Sequence, residues 1–302
     1  MSLLILGTVA FDTIETPFGK ADRIIGGAGT YIAWASSMLY NDIQLVSVIG
    51  DDFPSEELSQ LENRGVRLDG LEKRVGEKSF FWAGRYHSNM NSRDTLATEL
   101  NVLENYSPVL PESCKNVDYL MLGNFAPAVQ MQVIEQLDKK PALTVLDTMN
   151  FWMDIAMDEL KAVLKHVDVL TINDEEARQL SGEYSLVRAA EVILQMGPTS
   201  LVIKKGEHGA LLFQGSNMFY VPAMPLDQVF DPTGAGDSFA GGFIGYLAKT
   251  NDFSFENMKK ALVHGSTIAS FCVEAFGPNK LKTLTDQVID KRYKRFIDLM
   301  SI

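Results

Sequence analysis

The chain has 302 residues, 46% of them hydrophobic and 22% charged, the balance of a globular protein with a substantial core. Its 27 basic and 39 acidic residues leave a formal charge of −12, so a nucleic acid partner would find no basic surface to start from. Cys114 and Cys272 lie far apart without metal-ligand spacing and read as buried thiols of a reducing compartment. The first residues are too short an apolar run for a signal peptide, and no stretch approaches membrane-spanning length, so a cytoplasmic protein with no membrane partner is expected.

Leu3 to Val9 reads as a buried first strand, with Asp12 just beyond it, where ligands approach the carboxyl ends of strands in open α/β sheets. Phe11 to Ile25 carries β-branched residues, Pro17 and Gly19, and predicts an exposed hairpin outside the core. Gly26 and Gly27 then run into a helix of small and apolar residues. Glycines there admit a ligand or a second backbone, and packing alone explains them equally well. Ile43 to Ile49 reads as a second buried strand. From Val66 to Tyr86 the residues alternate and include Phe80, Phe81 and Trp82, a β pattern that joins residues 11–25 in a small projecting sheet. Arg85, His87, Asn89, Asn91 and Arg93 read as a surface loop at its far end. Beyond Pro111, short apolar runs at Tyr119–Leu122, Leu143–Leu146, Val167–Ile172 and Leu201–Ile203 alternate with helical patterns, which argues for a parallel sheet covered on both faces. A hairpin is expected from Ala210–Phe213 and Met218–Val221, a buried helical pattern from Phe255 to Phe276, and a surface helix near Gln287–Met300.

Between the hairpin and the last helices lies the stretch on which function turns, Asp231-Pro232-Thr233-Gly234-Ala235-Gly236-Asp237-Ser238-Phe239-Ala240-Gly241-Gly242-Phe243. Pro232 and the two glycines exclude regular structure at its start, while Phe239, Ala240, Phe243, Ile244 and Leu247 recur at helical spacing. A helix therefore begins near Asp237 with free N–H groups on an uncovered glycine turn, a ready anion site. A carboxylate beside a bound phosphate would be repelled, unless its task is to take a proton from the hydroxyl that attacks the phosphate. Anion hole and base together read as phosphoryl transfer; an isolated acidic first turn would merely complement the helix dipole.

The whole string resembles the C-terminal signature of the ribokinase-like (PfkB) carbohydrate kinases, and other landmarks of that family recur in order along nearly the full chain. The resemblance implies an α/β chain of one domain, residues 1–302. It would be a three-layer α/β/α sandwich with a mostly parallel central sheet and a small β-sheet lid built from about 11–25 and 73–100. It makes Asp237 the general base, with the N–H groups of Gly234, Ala235 and Gly236 stabilising the transferring phosphoryl group. Gly26 and Gly27 match the N-terminal signature, so these glycines, Thr30 and Tyr31 would face the sugar, and Asp12 would grip two of its hydroxyls. Asn173 and Glu176 match an Asn-x-x-Glu motif that places magnesium and nucleotide phosphates. The same spacing makes a capping box, and both roles can hold. Lys204, Gly206 and Thr233 fall on the nucleotide side. His264 stands where the family often has Asn near adenine, or is simply a helix histidine.

Two departures lie on the acceptor side: Tyr31 replaces a common Asn, and Asp147-Thr148-Met149-Asn150 lacks the Asn-x-Arg pattern of many sugar kinases. Competing folds fare worse, since a P-loop, a zincin motif and a Gly-x-Ser-x-Gly elbow are absent, and Gly27-Ala28-Gly29 lacks a third glycine and does not directly follow the first strand. The expectation is an ATP-dependent kinase that phosphorylates a hydroxymethyl group of a sugar or sugar-like alcohol. ATP and Mg2+ are its cofactors, a monovalent cation such as K+ is a candidate, and a homodimer through the lid is expected. A nucleoside kinase on the same scaffold, or a regulator that binds nucleotide or sugar without catalysis, are the alternatives.

Overall fold

A computed structural model of the chain describes residues 1–301. Strand β1 (Leu3–Leu6) is buried on both faces. Leu3 and Ile5 enter one core and Leu4 and Leu6 the other, which is why the sequence shows a continuous apolar run instead of alternation. The chain then leaves the main sheet for β2 (Ala10–Thr16) and β3 (Gly19–Gly26), returns through α1 (Ala28–Ser37) to β4 (Ile43–Gly50), and continues into α2 (Ser55–Asn63), β5 (Val66–Arg67) and β6 (Leu71–Arg74). After β7 (Phe80–Tyr86) and β8 (Arg93–Glu99) it alternates as expected: β9 (Tyr119–Leu122), α3 (Pro127–Glu135), β10 (Leu143–Asp147), α4 (Asn150–Ile155), α5 (Met157–Leu164), β11 (Val169–Asn173), α6 (Asp174–Ser181), α7 (Leu186–Leu194) and β12 (Ser200–Lys204). The hairpin β13 (Ala210–Gln214) and β14 (Asn217–Val221) precedes α8 (Ala235–Thr250), α9 (Phe255–Cys272), α10 (Asn279–Lys282) and α11 (Asp286–Met300).

The main sheet has the order β14-β13-β12-β11-β10-β9-β1-β4-β5, with β6 also on β4; it is parallel except for the β12-β13-β14 edge. Residues of α1, α8 and α9 fill one core, and those of α3, α5, α6 and α7 the other, giving the expected three layers. Strand order reverses at β1, and in open α/β sheets ligands bind at the carboxyl ends beside such a point. Asp147, Asn173 and Lys204 terminate β10, β11 and β12 on that rim.

A separate four-stranded sheet has the order β3-β2-β7-β8, with β2 and β7 parallel. Two expectations need correction here. Residues 71–74 pair with β4 in the main sheet, so the small sheet takes its second half from 80–86 and 93–99 and not from residue 73 onward. Residues 11–25 are not uniformly exposed either: Phe11, Asp12 and Ile14 of β2 are buried, whereas β3 faces outward. Phe11 packs on Phe53 beneath the sheet, a partner supplied from α2's approach and not legible from local pattern. Both thiols are free and buried, as expected.

Candidate active site

The turn before α8 is held from outside. Asp231, fully buried, accepts hydrogen bonds from the N–H groups of Thr233 (2.8 Å) and Gly277 (3.0 Å), so its carboxylate fixes the loop rather than facing ligand. Gly234 then takes φ 74°, a left-handed conformation that favours glycine, and the ring of Tyr31 lies where a Cβ would be, 2.4 Å away. The expectation that the N–H groups of Gly234, Ala235 and Gly236 all face the phosphoryl group is corrected at Ala235, whose N–H donates to Pro232 (3.2 Å) and is engaged within the turn. No side chain caps α8, which leaves the N–H groups of Gly236 and Asp237 free in its first turn.

The Lys204 ammonium sits 3.1 Å from where a Cβ on Gly236 would lie, and it is paired with Asp147, whose carboxylate also accepts from Thr171 Oγ1 at 2.8 Å. Burial pulls the Lys204 pKa down, but Asp147 and Glu176 more than restore it, so the ammonium stays charged. Asp237 is half-buried beside them. Burial first and the Asp147 carboxylate second push its pKa up to about 7, against the pull of Lys204 and Arg93. Glu176 completes the capping box with Asn173: the Asn173 N–H donates to its carboxylate (2.7 Å), and its own N–H donates to Asn173 Oδ1 (2.8 Å). It too is raised to about 7, by burial, so the structural role leaves a carboxylate poised to take a positive charge.

Across the rim, Asp12 is buried, and its Oδ2 lies 1.9 Å from the place a Cβ on Gly26 would occupy. Gly26 is therefore required by the carboxylate of Asp12. Burial, then the neighbouring Asp231, raise Asp12 to about 7, while the Gly27 N–H opposes the rise. Asp237 also raises it and Arg93 opposes, so the acceptor side and the transfer side share one electrostatic field.

Not every sequence-derived residue joins this group. Tyr31 is 1% exposed and packs beneath Gly234, so it does not offer a ring face to ligand. The Thr30 hydroxyl is buried without a partner among the described residues. Gly206 (φ 54°) follows the end of β12, against the Asn91 side chain. His264 is corrected: its ring is stacked between Tyr246 (4.2 Å) and Tyr293 (4.3 Å), both faces covered, and burial lowers its pKa to about 4. It is a neutral histidine between three helices. Asp147 was seen in sequence only as a missing Asn-x-Arg; its position at a strand end, like Asn173 and Lys204, was the usable signal. Arg93 was read as loop surface and is solvent-exposed; that it opens β8 opposite Tyr86 is a matter of sheet register, which is not written in local sequence.

Comparison with known proteins agrees with this geometry. The pfkB family carbohydrate kinase pattern matches residues 15–284. The chain is 28% identical over 248 residues to a cytidine kinase of Thermococcus kodakarensis, covering 81% of this chain and 87% of that one. A candidate ribokinase II of E. coli, solved with ATP and Mg2+, superposes with TM-score 0.80 at 19% identity, covering 97% of this chain and 99% of the other. A nucleoside kinase of Burkholderia thailandensis in complex with inosine superposes with TM-score 0.77 at 20% identity, covering 98% and 99%. The chain belongs to the PfkB family of carbohydrate kinases. It is a phosphotransferase with the ribokinase-like fold, and its relatives act on sugars or nucleosides.

Proposed function

We propose that the chain transfers the γ-phosphoryl group of ATP to a hydroxymethyl group of a ribose-like acceptor, with Asp237 as general base. The observation that carries this reading is the juxtaposition, in one turn, of two free N–H groups, the Lys204 ammonium and a carboxyl whose pKa is raised to about 7. Asp12 holds the acceptor's hydroxyls. The acceptor oxygen attacks phosphorus, its proton passes to Asp237, and the bond to the bridging oxygen of ADP breaks. The N–H groups of Gly236 and Asp237 and the Lys204 ammonium meet the charge on the transferring group. The donor set suits Mg2+, which typically uses one or two carboxylates plus phosphates, and Glu176 is a single buried carboxylate in the first turn of α6. Glu176, with Asn173, would hold it there, and when bound it supplies charge neutralisation of the phosphates.

Within this reading a nucleoside acceptor is favoured over a free sugar. Tyr31, in place of the Asn common in sugar kinases, is used beneath Gly234, while Trp82, the in-register neighbour of Asp12, is half-buried and sets an aromatic wall on the sheet face that carries Asp12. The similarity to a cytidine kinase points the same way. Turnover with ATP across ribose, deoxyribose and a nucleoside panel tests both steps: no acceptor phosphorylated overturns the kinase, and ribose preferred to every nucleoside overturns the second reading. The same assay with and without K+ tests activation by a monovalent cation. Pairing of two lids through their outward faces, where Phe18 and Leu96 are exposed, gives a homodimer in this reading. No helix among the described residues is long and apolar enough to cross a membrane. The two unpaired buried thiols are consistent with a cytoplasmic location.

A further inference from the structure

The small sheet does more than border Asp12. Tyr86 ends β7, and its hydroxyl lies 3.1 Å from the Thr233 hydroxyl, which donates to it from the loop before α8. At the tip of the β7–β8 hairpin, the side-chain Oδ1 of Asn91 is 2.6 Å from where a Cβ on Gly206 would lie. The hairpin thus touches the phosphate side of the rim at two points. Arg93 is the direct cross-strand partner of Tyr86, so the two side chains leave the sheet on the same face. Trp82 lies on that face too, its ring folded over Gly84, and the Arg93 guanidinium stands 5.7 Å from the ring centroid.

The Arg93 side chain makes no hydrogen bond or ion pair among the described residues, although Asp12, Glu176 and Asp237 lie within its field. Lys204, the other cation on this rim, is already paired with Asp147. The Arg93 guanidinium is solvent-exposed, so its donors are free to exchange water for a planar oxygen fork, and it stands on the sheet face that carries Tyr86 and Trp82, beside a site that must take a polyanion.

We propose that Arg93 is a phosphate ligand carried by the lid, contacting the transferring phosphoryl group when the β7–β8 hairpin lies against Thr233 and Gly206. The proposal rests on the kinase reading above for the identity of the anion. The lid then completes the phosphoryl-transfer site as well as covering the acceptor.

Arg93→Ala and Arg93→Gln are the variants, checked by thermal unfolding and compared with wild type for turnover and for ATP and ADP binding by calorimetry. Loss of one donor to developing charge is expected to lower kcat by about 10²-fold. It is also expected to weaken ATP binding while leaving ADP binding in place, because only ATP carries the γ-phosphoryl group. A melting temperature near wild type excludes a lost hairpin as the cause; should the alanine variant unfold, the glutamine variant, which keeps the stem of the side chain, carries the comparison. Wild-type turnover in a folded variant, or equal loss of ATP and ADP affinity, overturns the proposal. A wild-type protein that phosphorylates nothing overturns the kinase reading instead, and the ATP-to-ADP comparison still judges Arg93.

Discussion

In the proposed mechanism, Asp237 shows how a carboxyl beside a phosphate could act as a base at all. In water it would be ionised but too weakly basic to take a proton from an alcohol; burial and the nearby Asp147 raise its proton affinity, and Lys204 and Arg93 keep the rise moderate. Asp237→Asn preserves shape and hydrogen-bonding capacity while removing the acceptor of the proton. Turnover is expected to fall by about 10²-fold or more with ATP binding retained, measured by steady-state kinetics alongside calorimetry. The base works only when ionised, so kcat/KM should decline as pH falls through about 7, a limb that a pH–rate profile reads directly. Stability runs in the opposite sense. Asp12, Glu176 and Asp237 all bind protons more tightly folded than unfolded, so their contribution is full below the unfolded carboxyl range and is lost as pH rises through about 7. The ligand-free protein should therefore gain melting temperature from Asp12→Asn at about pH 8 and little at about pH 4. Equal effects at the two pH values would show that Asp12 is not held in an unfavourable charged state.

At the level of elements, the β3-to-α1 connection and the β11-to-α6 connection each serve structure and site with the same atoms. Gly26→Ala places a Cβ 1.9 Å from Asp12 Oδ2, so the carboxylate must leave its seat. The expected result is a raised KM for the acceptor with the KM for ATP unchanged, and an unchanged acceptor KM would remove Asp12 from recognition. At α6, Glu176→Gln keeps an oxygen for the Asn173 N–H, since glutamine serves a capping box as glutamate does. It should hold the melting temperature but require several-fold more Mg2+ for half-maximal rate. Glu176→Ala should show that requirement and also lose about 1 kcal/mol of stability. These connections were legible in sequence because each is local: a glycine pair before a helix, an Asn-x-x-Glu after a strand, and the uncovered turn Gly234 to Asp237. The alternation beyond Pro111 was legible too, since strands buried on both faces print as short apolar runs. What sequence did not carry was register. The displacement of β6 into the main sheet, the burial of Phe11 on Phe53 and the placing of Arg93 opposite Tyr86 all depend on which distant strand lies alongside. His264 stayed between two readings for the same reason, because its two tyrosine neighbours come from α8 and α11.

Over the whole molecule, the lid is joined to the sandwich at β1 and at α1: β2 begins after a three-residue link from β1, and β3 passes through Gly27 straight into α1. An acceptor held at Asp12, as proposed, would bear on lid and sandwich together, and hydrogen exchange in 10–26 and 80–99 should slow when acceptor is added. Unaltered protection in both segments would argue that the sheet is a fixed wall. Light scattering at assay concentration separately decides whether two lids pair. The Tyr86–Thr233 and Asn91–Gly206 contacts carry a kinetic consequence as well. If phosphorylated product is held behind both contacts, its release waits on their opening, and the ceiling on turnover would then be a diffusive motion of a hairpin through solvent instead of a bond-making event. Such a motion feels friction: sucrose or glycerol, by thickening the medium, would slow each cycle in proportion to viscosity while leaving the chemical step itself untouched.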